Sequence, residues 1–121
     1  MTQLLFLGDQ PQTLSVLEKA LSNRYRLQCL EQPPSSLNRY DLILLDIGCI
    51  DRFGLAACRL LATAAADKGI PLLMVWGDGG DHQLTAMESG CIDFLSPPFH
   101  HAVVQSKLKT HLHLSAFLRN L

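Results

Sequence analysis

Short runs of apolar residues, each followed directly by a polar or glycine-containing loop, constrain the fold of this chain more than any other sequence feature. The clearest run covers residues 42–45, has no polar alternation and stops at Asp46. Similar runs precede Gly8 and Gly77. Strands that are apolar on both faces are typical of parallel sheets covered by helices on each side. These runs therefore predict a buried parallel sheet whose strands end in loops.

The segments between these runs carry the patterns of helices. Residues 13–21 place three leucines at spacings of three and four, which predicts an amphipathic helix. Pro33 and Pro34 interrupt the chain, so that only about one turn of helix fits before Asp41. The alternation of strands and helices predicts an α/β fold with right-handed crossovers. The predicted strands are residues 4–7, 25–30, 42–45, 70–76 and 91–95, and the predicted helices are residues 13–21, 54–65, 81–89 and 100–121.

Length and composition exclude several classes of protein. The 121 residues are enough for one domain with its own core. The 10 basic and 11 acidic residues are scattered, which argues against a nucleic-acid binder or a membrane-surface binder. No apolar run approaches the roughly 20 residues of a spanning helix and no secretory signal is visible, so we expect a cytoplasmic protein. The four cysteines form no Cys-x-x-Cys pair and are expected to be free thiols, and the spacing of the histidines predicts no metal site.

Two carboxylates follow strands of the predicted sheet. Asp9 comes after the first apolar run and Asp46 after the third. Functional sites of such sheets lie beyond the carboxyl ends of the strands, so these two side chains are expected to converge. Oxygen ligands of this kind suit Mg²⁺. The sequence thus indicates an acidic pocket at this edge of the sheet.

Four segments, together with their spacing, carry a resemblance to a known family. Residues 41–47 read Asp-Leu-Ile-Leu-Leu-Asp-Ile and are followed by Gly-Leu at residues 54–55. Residues 88–95 read Glu-Ser-Gly-Cys-Ile-Asp-Phe-Leu, and the Pro-Pro-Phe of residues 97–99 precedes the last helix. Nearly the whole chain resembles the receiver domain of bacterial two-component response regulators. The resemblance implies a flavodoxin-like (βα)5 fold with a five-stranded parallel sheet of order 2-1-3-4-5 and a shortened second helix.

The resemblance also implies roles for individual residues. Asp46 stands at the position that accepts a phosphoryl group from a histidine kinase. Asp9 is one of the two acids that hold Mg²⁺ in the family, so Asp9 and Asp46 would form at most a weak metal site. Phe94 corresponds to the aromatic residue that changes rotamer on activation, and the peptide bond between Pro97 and Pro98 is expected to be cis.

Three positions depart from the family pattern. Gly8 replaces the first of the two acids, and Trp76 replaces the small hydroxyl residue after the fourth strand. Pro97 replaces the lysine that would pair with the phosphoryl group, and proline lacks even a backbone N–H. Because phosphoryl transfer depends on charge neutralisation and positioning, these changes predict an atypical receiver of the pseudo-receiver type.

Three hypotheses about function follow. The first is a binding module without enzymatic activity, which signals through protein contacts and is not switched by conventional phosphorylation. The second is a working phosphoacceptor that reacts at Asp46 with Mg²⁺ and controls a carboxyl-terminal effector such as a diguanylate cyclase. The third, a nucleotide- or flavin-binding domain, is weaker because the Gly-rich loop of residues 77–80 lacks both the G-x-G-x-x-G order and a Lys-Ser/Thr ending.

The last helix adds expectations about organisation and partners. We assign residues 1–112 to the receiver domain and residues 113–121 to an extension of its last helix that leads to a covalently linked output domain. Apolar residues on several faces of this helix make a homodimer through the fourth and fifth helices plausible. A histidine kinase or another signalling protein is the expected partner, and neither nucleic acid nor a membrane is expected to bind this domain.

Overall fold

The fold is a five-stranded sheet flanked by helices, seen in a computed structural model that describes residues 1–21 and 23–121. All pairings are parallel and the strand order is β2-β1-β3-β4-β5, as predicted. The strands are β1 (Gln3–Leu7), β2 (Arg26–Leu30), β3 (Leu42–Asp46), β4 (Leu72–Val75) and β5 (Asp93–Leu95). The helices are α1 (Pro11–Leu21), α2 (Gly48–Phe53), α3 (Leu55–Asp67), α4 (Gln83–Glu88) and α5 (His101–Arg119).

The core consists of two layers, one on each face of the sheet. Alternate residues of a strand point to opposite faces, so Leu5 and Ile43 belong to the layer that includes residues of α3, while Leu4 and Leu42 belong to the layer with α1 and α5. Every residue of β3 is buried, including its last residue, Asp46. This double coverage explains the uninterrupted apolar runs, and it places a carboxylate at the end of a fully buried strand.

The connection between β2 and β3 differs from the prediction. The expected turn of helix before Asp41 is absent, and residues 31–41 instead form bends and a turn in which the Tyr40 N–H donates to the Leu37 carbonyl at 3.1 Å. A tertiary hydrogen bond to β2, rather than local helical bonds, holds this segment. The Tyr40 hydroxyl fixes the segment to β2 by donating to the Gln28 side chain at 2.6 Å.

The short helix α2 was not predicted. It begins directly after β3 at Gly48 and Cys49, two residue types with low helix propensity. The helix ends at Gly54, whose φ of 91° is readily adopted by glycine. As a result, α2 places its side chains beside the carboxyl end of β3.

The last helix runs without a break from His101 to Arg119, past the predicted boundary at residue 112. Beyond that boundary the Ser115 hydroxyl donates to the Gly69 carbonyl, and the Arg119 side chain lies against Gly69. The peptide bond between Pro97 and Pro98 is cis, as predicted. Across residues 1–21 and 23–121, no helix is long and apolar enough to cross a membrane.

Candidate functional site

A cavity of about 490 Å³ lies at the carboxyl ends of the central strands. Asp46 from β3 and Trp76, which follows β4, form part of its wall, together with Asp78, His82 and Gln10 from neighbouring loops. We call this cavity the Asp46 pocket. Its position beyond the strand ends is the one that a parallel sheet of this topology predicts for a site.

Asp46 is almost completely buried, with 1% of its surface exposed. Its Oδ2 atom has no hydrogen-bond partner in the described part of the chain. Burial is the main reason why the pKa of Asp46 is raised to about 6, and the nearby charge of Asp9 raises it further. The backbone N–H groups of Gly48 and Ile47 and the charge of Arg52 oppose the increase. Asp9 and Asp46 therefore lie close enough for their charges to interact, as predicted from the topology.

Gly8 lies so close to Asp46 that a side chain at position 8 would force a shift in one of the two residues. An added Cβ would lie 2.5 Å from the Asp46 Cβ and 3.2 Å from two atoms of the Phe6 ring. The carbon atoms would then be well inside van der Waals distance. The carboxylate that the resemblance implies at this position would therefore require a different backbone arrangement.

Asp9 pairs with Arg52, a residue that sequence reasoning missed. The Arg52 Nε atom lies 3.5 Å from Asp9 Oδ2. The contact spans 43 residues and depends on the unpredicted helix α2. No motif in the sequence predicts this contact. The sequence shows only that Arg52 follows Asp46 closely and must therefore lie near the carboxyl end of β3.

Trp76 and Phe94 pack against each other beside the Asp46 pocket. Their rings are stacked, with centroids 5.1 Å apart and planes 17° from parallel, and Trp76 is 2% exposed. The His82 ring meets Trp76 edge-on at 5.3 Å. On Phe94, the Lys107 Nζ atom lies 4.8 Å from the ring centroid. Aromatic stacking and cation–π contacts hold an aromatic ring in one position. Phe94 has such a contact with Trp76 and another with Lys107.

Pro97 is exposed and is not among the residues that line the Asp46 pocket. Lys107, the nearby amine, is already engaged: its Nζ donates to the Phe94 carbonyl at 2.8 Å and lies 3.3 Å from the Asp93 carboxylate. His111 binds the other oxygen of Asp93 at 2.9 Å. Of the predicted site residues, only Asp46 and Trp76 line the Asp46 pocket. Outside that lining, Gly8 lies against Asp46, Asp9 pairs with Arg52 and Phe94 stacks on Trp76, whereas Pro97 is exposed.

The side chains at this edge of the sheet do not fit a Mg²⁺ site. Within residues 1–21 and 23–121, no group of three or more His, Cys, Asp or Glu side chains is placed to hold a metal ion. Mg²⁺ needs near-octahedral oxygen coordination. Here one carboxylate is paired with a guanidinium and the other is buried, while a third carboxylate at position 8 is excluded by packing.

Comparison with solved structures defines the class of the fold, which is that of response regulator receiver domains. The crystal structure of a response regulator receiver modulated diguanylate cyclase from Pelobacter carbinolicus aligns over 100% of both chains with a TM-score of 0.72 and 19% identity.

Curated proteins with similar sequences provide particular relatives for comparison. The transcriptional regulatory protein CusR of Escherichia coli K12 is 36% identical over 78 residues, which cover 64% of this chain and 34% of CusR. The probable transcriptional regulatory protein SilR of Salmonella typhimurium is 35% identical over 74 residues, covering 60% of this chain and 32% of SilR. The alignments span about a third of the length of these relatives. No family model matches the chain. Fold and sequence similarity together support a response regulator receiver module.

Proposed function

We propose that this receiver module signals through protein contacts and is not switched by conventional phosphorylation of Asp46. The burial of Asp46 carries the proposal, because only 1% of this side chain is exposed and a phosphoryl donor has to reach its oxygen atoms. Phosphoryl transfer also needs positive groups around the reacting oxygens. The exposed Pro97 supplies none, and Trp76 occupies the position of the family's small hydroxyl side chain.

A phosphorylation assay tests the proposal directly. The chain is incubated with acetyl phosphate and MgCl₂, and its intact mass is measured. We expect no phosphoryl adduct, whereas a receiver domain with the complete acid pair and lysine forms one under the same conditions. An adduct on the wild-type chain that disappears in Asp46→Ala would contradict the proposal.

A second candidate is a phosphoaccepting receiver that reacts at Asp46 with Mg²⁺. The position of Asp9 and Asp46 after the neighbouring strands β1 and β3 favours it, since a phosphoacceptor carboxylate and a second carboxylate then lie at one edge of the sheet. The same assay decides between the two candidates. For this alternative the adduct has to depend on both Asp46 and Mg²⁺.

The proposed partners follow from the receiver module and its relatives. We propose a histidine kinase or another signalling protein as the upstream partner in the cytoplasm, and an output domain linked through the extension of α5 at residues 113–121. The relatives differ in output, since CusR is named a transcriptional regulator and the Pelobacter protein a diguanylate cyclase. For this chain, an effector such as a diguanylate cyclase belongs to the second candidate.

A homodimer through α4 and α5 is also proposed. Both helices expose large apolar side chains, including Leu84 (69% exposed) and Phe117 (62%). We expect the double variant Leu84→Glu/Phe117→Glu to sediment as a monomer at concentrations where the wild-type chain is a dimer. Leu60→Glu on α3, at a residue 72% exposed, is the matched control and should leave the dimer intact. A wild-type chain that sediments as a monomer at all concentrations would contradict the proposed dimer.

A further inference from the structure

Arg52 is fixed beside Asp9 by three contacts. Its Nε atom approaches Asp9 Oδ2 at 3.5 Å, and its Nη2 atom donates to the Glu31 carbonyl at 2.7 Å. The guanidinium carbon also lies 4.8 Å from the centroid of the Phe53 ring. A guanidinium is charged at every physiological pH and presents several donors in a fixed plane. This side chain therefore brings a permanent positive charge to the acidic edge of the sheet.

The two buried side-chain polar atoms that lack a hydrogen-bond partner in the described residues belong to the same cluster. One is the acceptor Oδ2 of Asp46, and the other is the donor Nη1 of Arg52. One group is negative and the other positive, and both lie at the carboxyl edge of the sheet, with Asp46 at the end of β3 and Arg52 on α2 directly after it. Arg52 thus forms a direct ion pair with Asp9 and lies on the helix that follows Asp46.

We propose that Arg52 replaces a divalent cation at the Asp9–Asp46 pair and thereby excludes Mg²⁺ from this chain. The inference rests on the proposed function. It identifies Arg52 as the group that prevents Asp9 and Asp46 from binding a metal ion. A divalent cation at the same carboxylates would be repelled by the guanidinium, and it would have to break the ion pair with Asp9. Removal of the guanidinium should therefore free the Asp9 carboxylate and raise the affinity of this edge for Mg²⁺ above that of the wild-type chain.

Titration with MgCl₂, followed by the carboxyl ¹³C resonances of Asp9 and Asp46, tests this inference. Arg52→Gln removes the charge, and Arg52→Lys keeps it. Arg59→Gln is the matched control, because Arg59 lies on α3 and its Nε atom donates to the Glu88 carbonyl at 2.6 Å, whereas the ion pair of Asp9 is with Arg52. We expect Arg52→Gln to bind Mg²⁺ at least about tenfold more tightly than the wild-type chain, Arg52→Lys and Arg59→Gln.

Two results would overturn the inference. One is saturable, submillimolar Mg²⁺ binding by the wild-type chain with shifts at Asp9 and Asp46. The other is equal affinity in wild type and Arg52→Gln. If Arg52→Gln does not fold, the wild-type titration decides, because saturable Mg²⁺ binding at Asp9 and Asp46 beside an intact Arg52 refutes the inference. The two proposals can fail separately. If the Mg²⁺ titration contradicts the inference but the wild-type chain forms no phosphoryl adduct, the proposed function is still supported.

Discussion

Asp46→Asn should stabilise the folded chain at pH 7.5 by up to about 3 kcal/mol. The pKa of Asp46 is about 6 in the folded state, against an ordinary value of 3.8. Because this pKa is raised, the stabilising contribution of the protonated form is complete below about pH 3.8. It is lost as the pH rises through about 6. Asparagine stays neutral at every pH and avoids the cost of a buried charge.

Urea unfolding of both chains between pH 4 and pH 8 measures this effect. The difference in free energy of unfolding between Asp46→Asn and wild type should grow from pH 4 to about pH 6.5 and then stay constant. Asp51→Asn is the control, because Asp51 lies on α2 but is exposed. A difference that does not change with pH would show that the carboxylate of Asp46 is not destabilised by burial.

Gly8→Ala should destabilise the chain by about 1–3 kcal/mol, because its Cβ would meet the Asp46 Cβ at 2.5 Å. Gly8→Asp should cost more, since it adds a second carboxylate beside a buried one. The control is Gly79→Ala, at a position where an added Cβ meets no atom within 4 Å. Urea unfolding of the three variants measures the difference.

The double variant Gly8→Asp/Asp46→Asn separates charge from packing. Measured against Asp46→Asn alone, aspartate at position 8 should cost only about as much as alanine costs in the wild-type chain, because the second carboxylate is gone while the added Cβ remains. A Gly8→Asp chain as stable as wild type would contradict the close contact between Gly8 and Asp46. It would also mean that the family's acid pair can be rebuilt in this chain.

The sequence predicts the sheet and the convergence of the two acids for a clear physical reason. Apolar runs such as residues 42–45 can only be buried in a sheet covered on both faces, and the topology of that sheet places Asp9 and Asp46 at one edge. The buried strands are a local consequence of the hydrophobic pattern, and the convergence of the two acids is a consequence of the topology of the sheet. The strand order was implied by the family resemblance, and the structure confirms it.

The pairing of Arg52 and the burial of Asp46 escaped prediction because both depend on packing. Arg52 reaches Asp9 only because α2 forms at Gly48 and Cys49, against the propensity of those residues. The degree to which Asp46 is buried depends on how loops close over the strand end, which no spacing in the sequence encodes. The helical turn expected before Asp41 failed for a similar reason, since a hydrogen bond from Tyr40 to Gln28 holds that segment in another form.

Trp76 is the single tryptophan of the chain, and it is buried between Phe94 and His82. Its intrinsic fluorescence is therefore the emission of one indole at the carboxyl edge of the sheet. A displaced His82 ring, a rearranged Phe94 or a partner that changes the loop after β4 each alters the surroundings of that indole. The substitution that removes the family's small hydroxyl side chain has thus supplied the protein with a built-in optical probe, and events at this edge can be followed in the unlabelled chain.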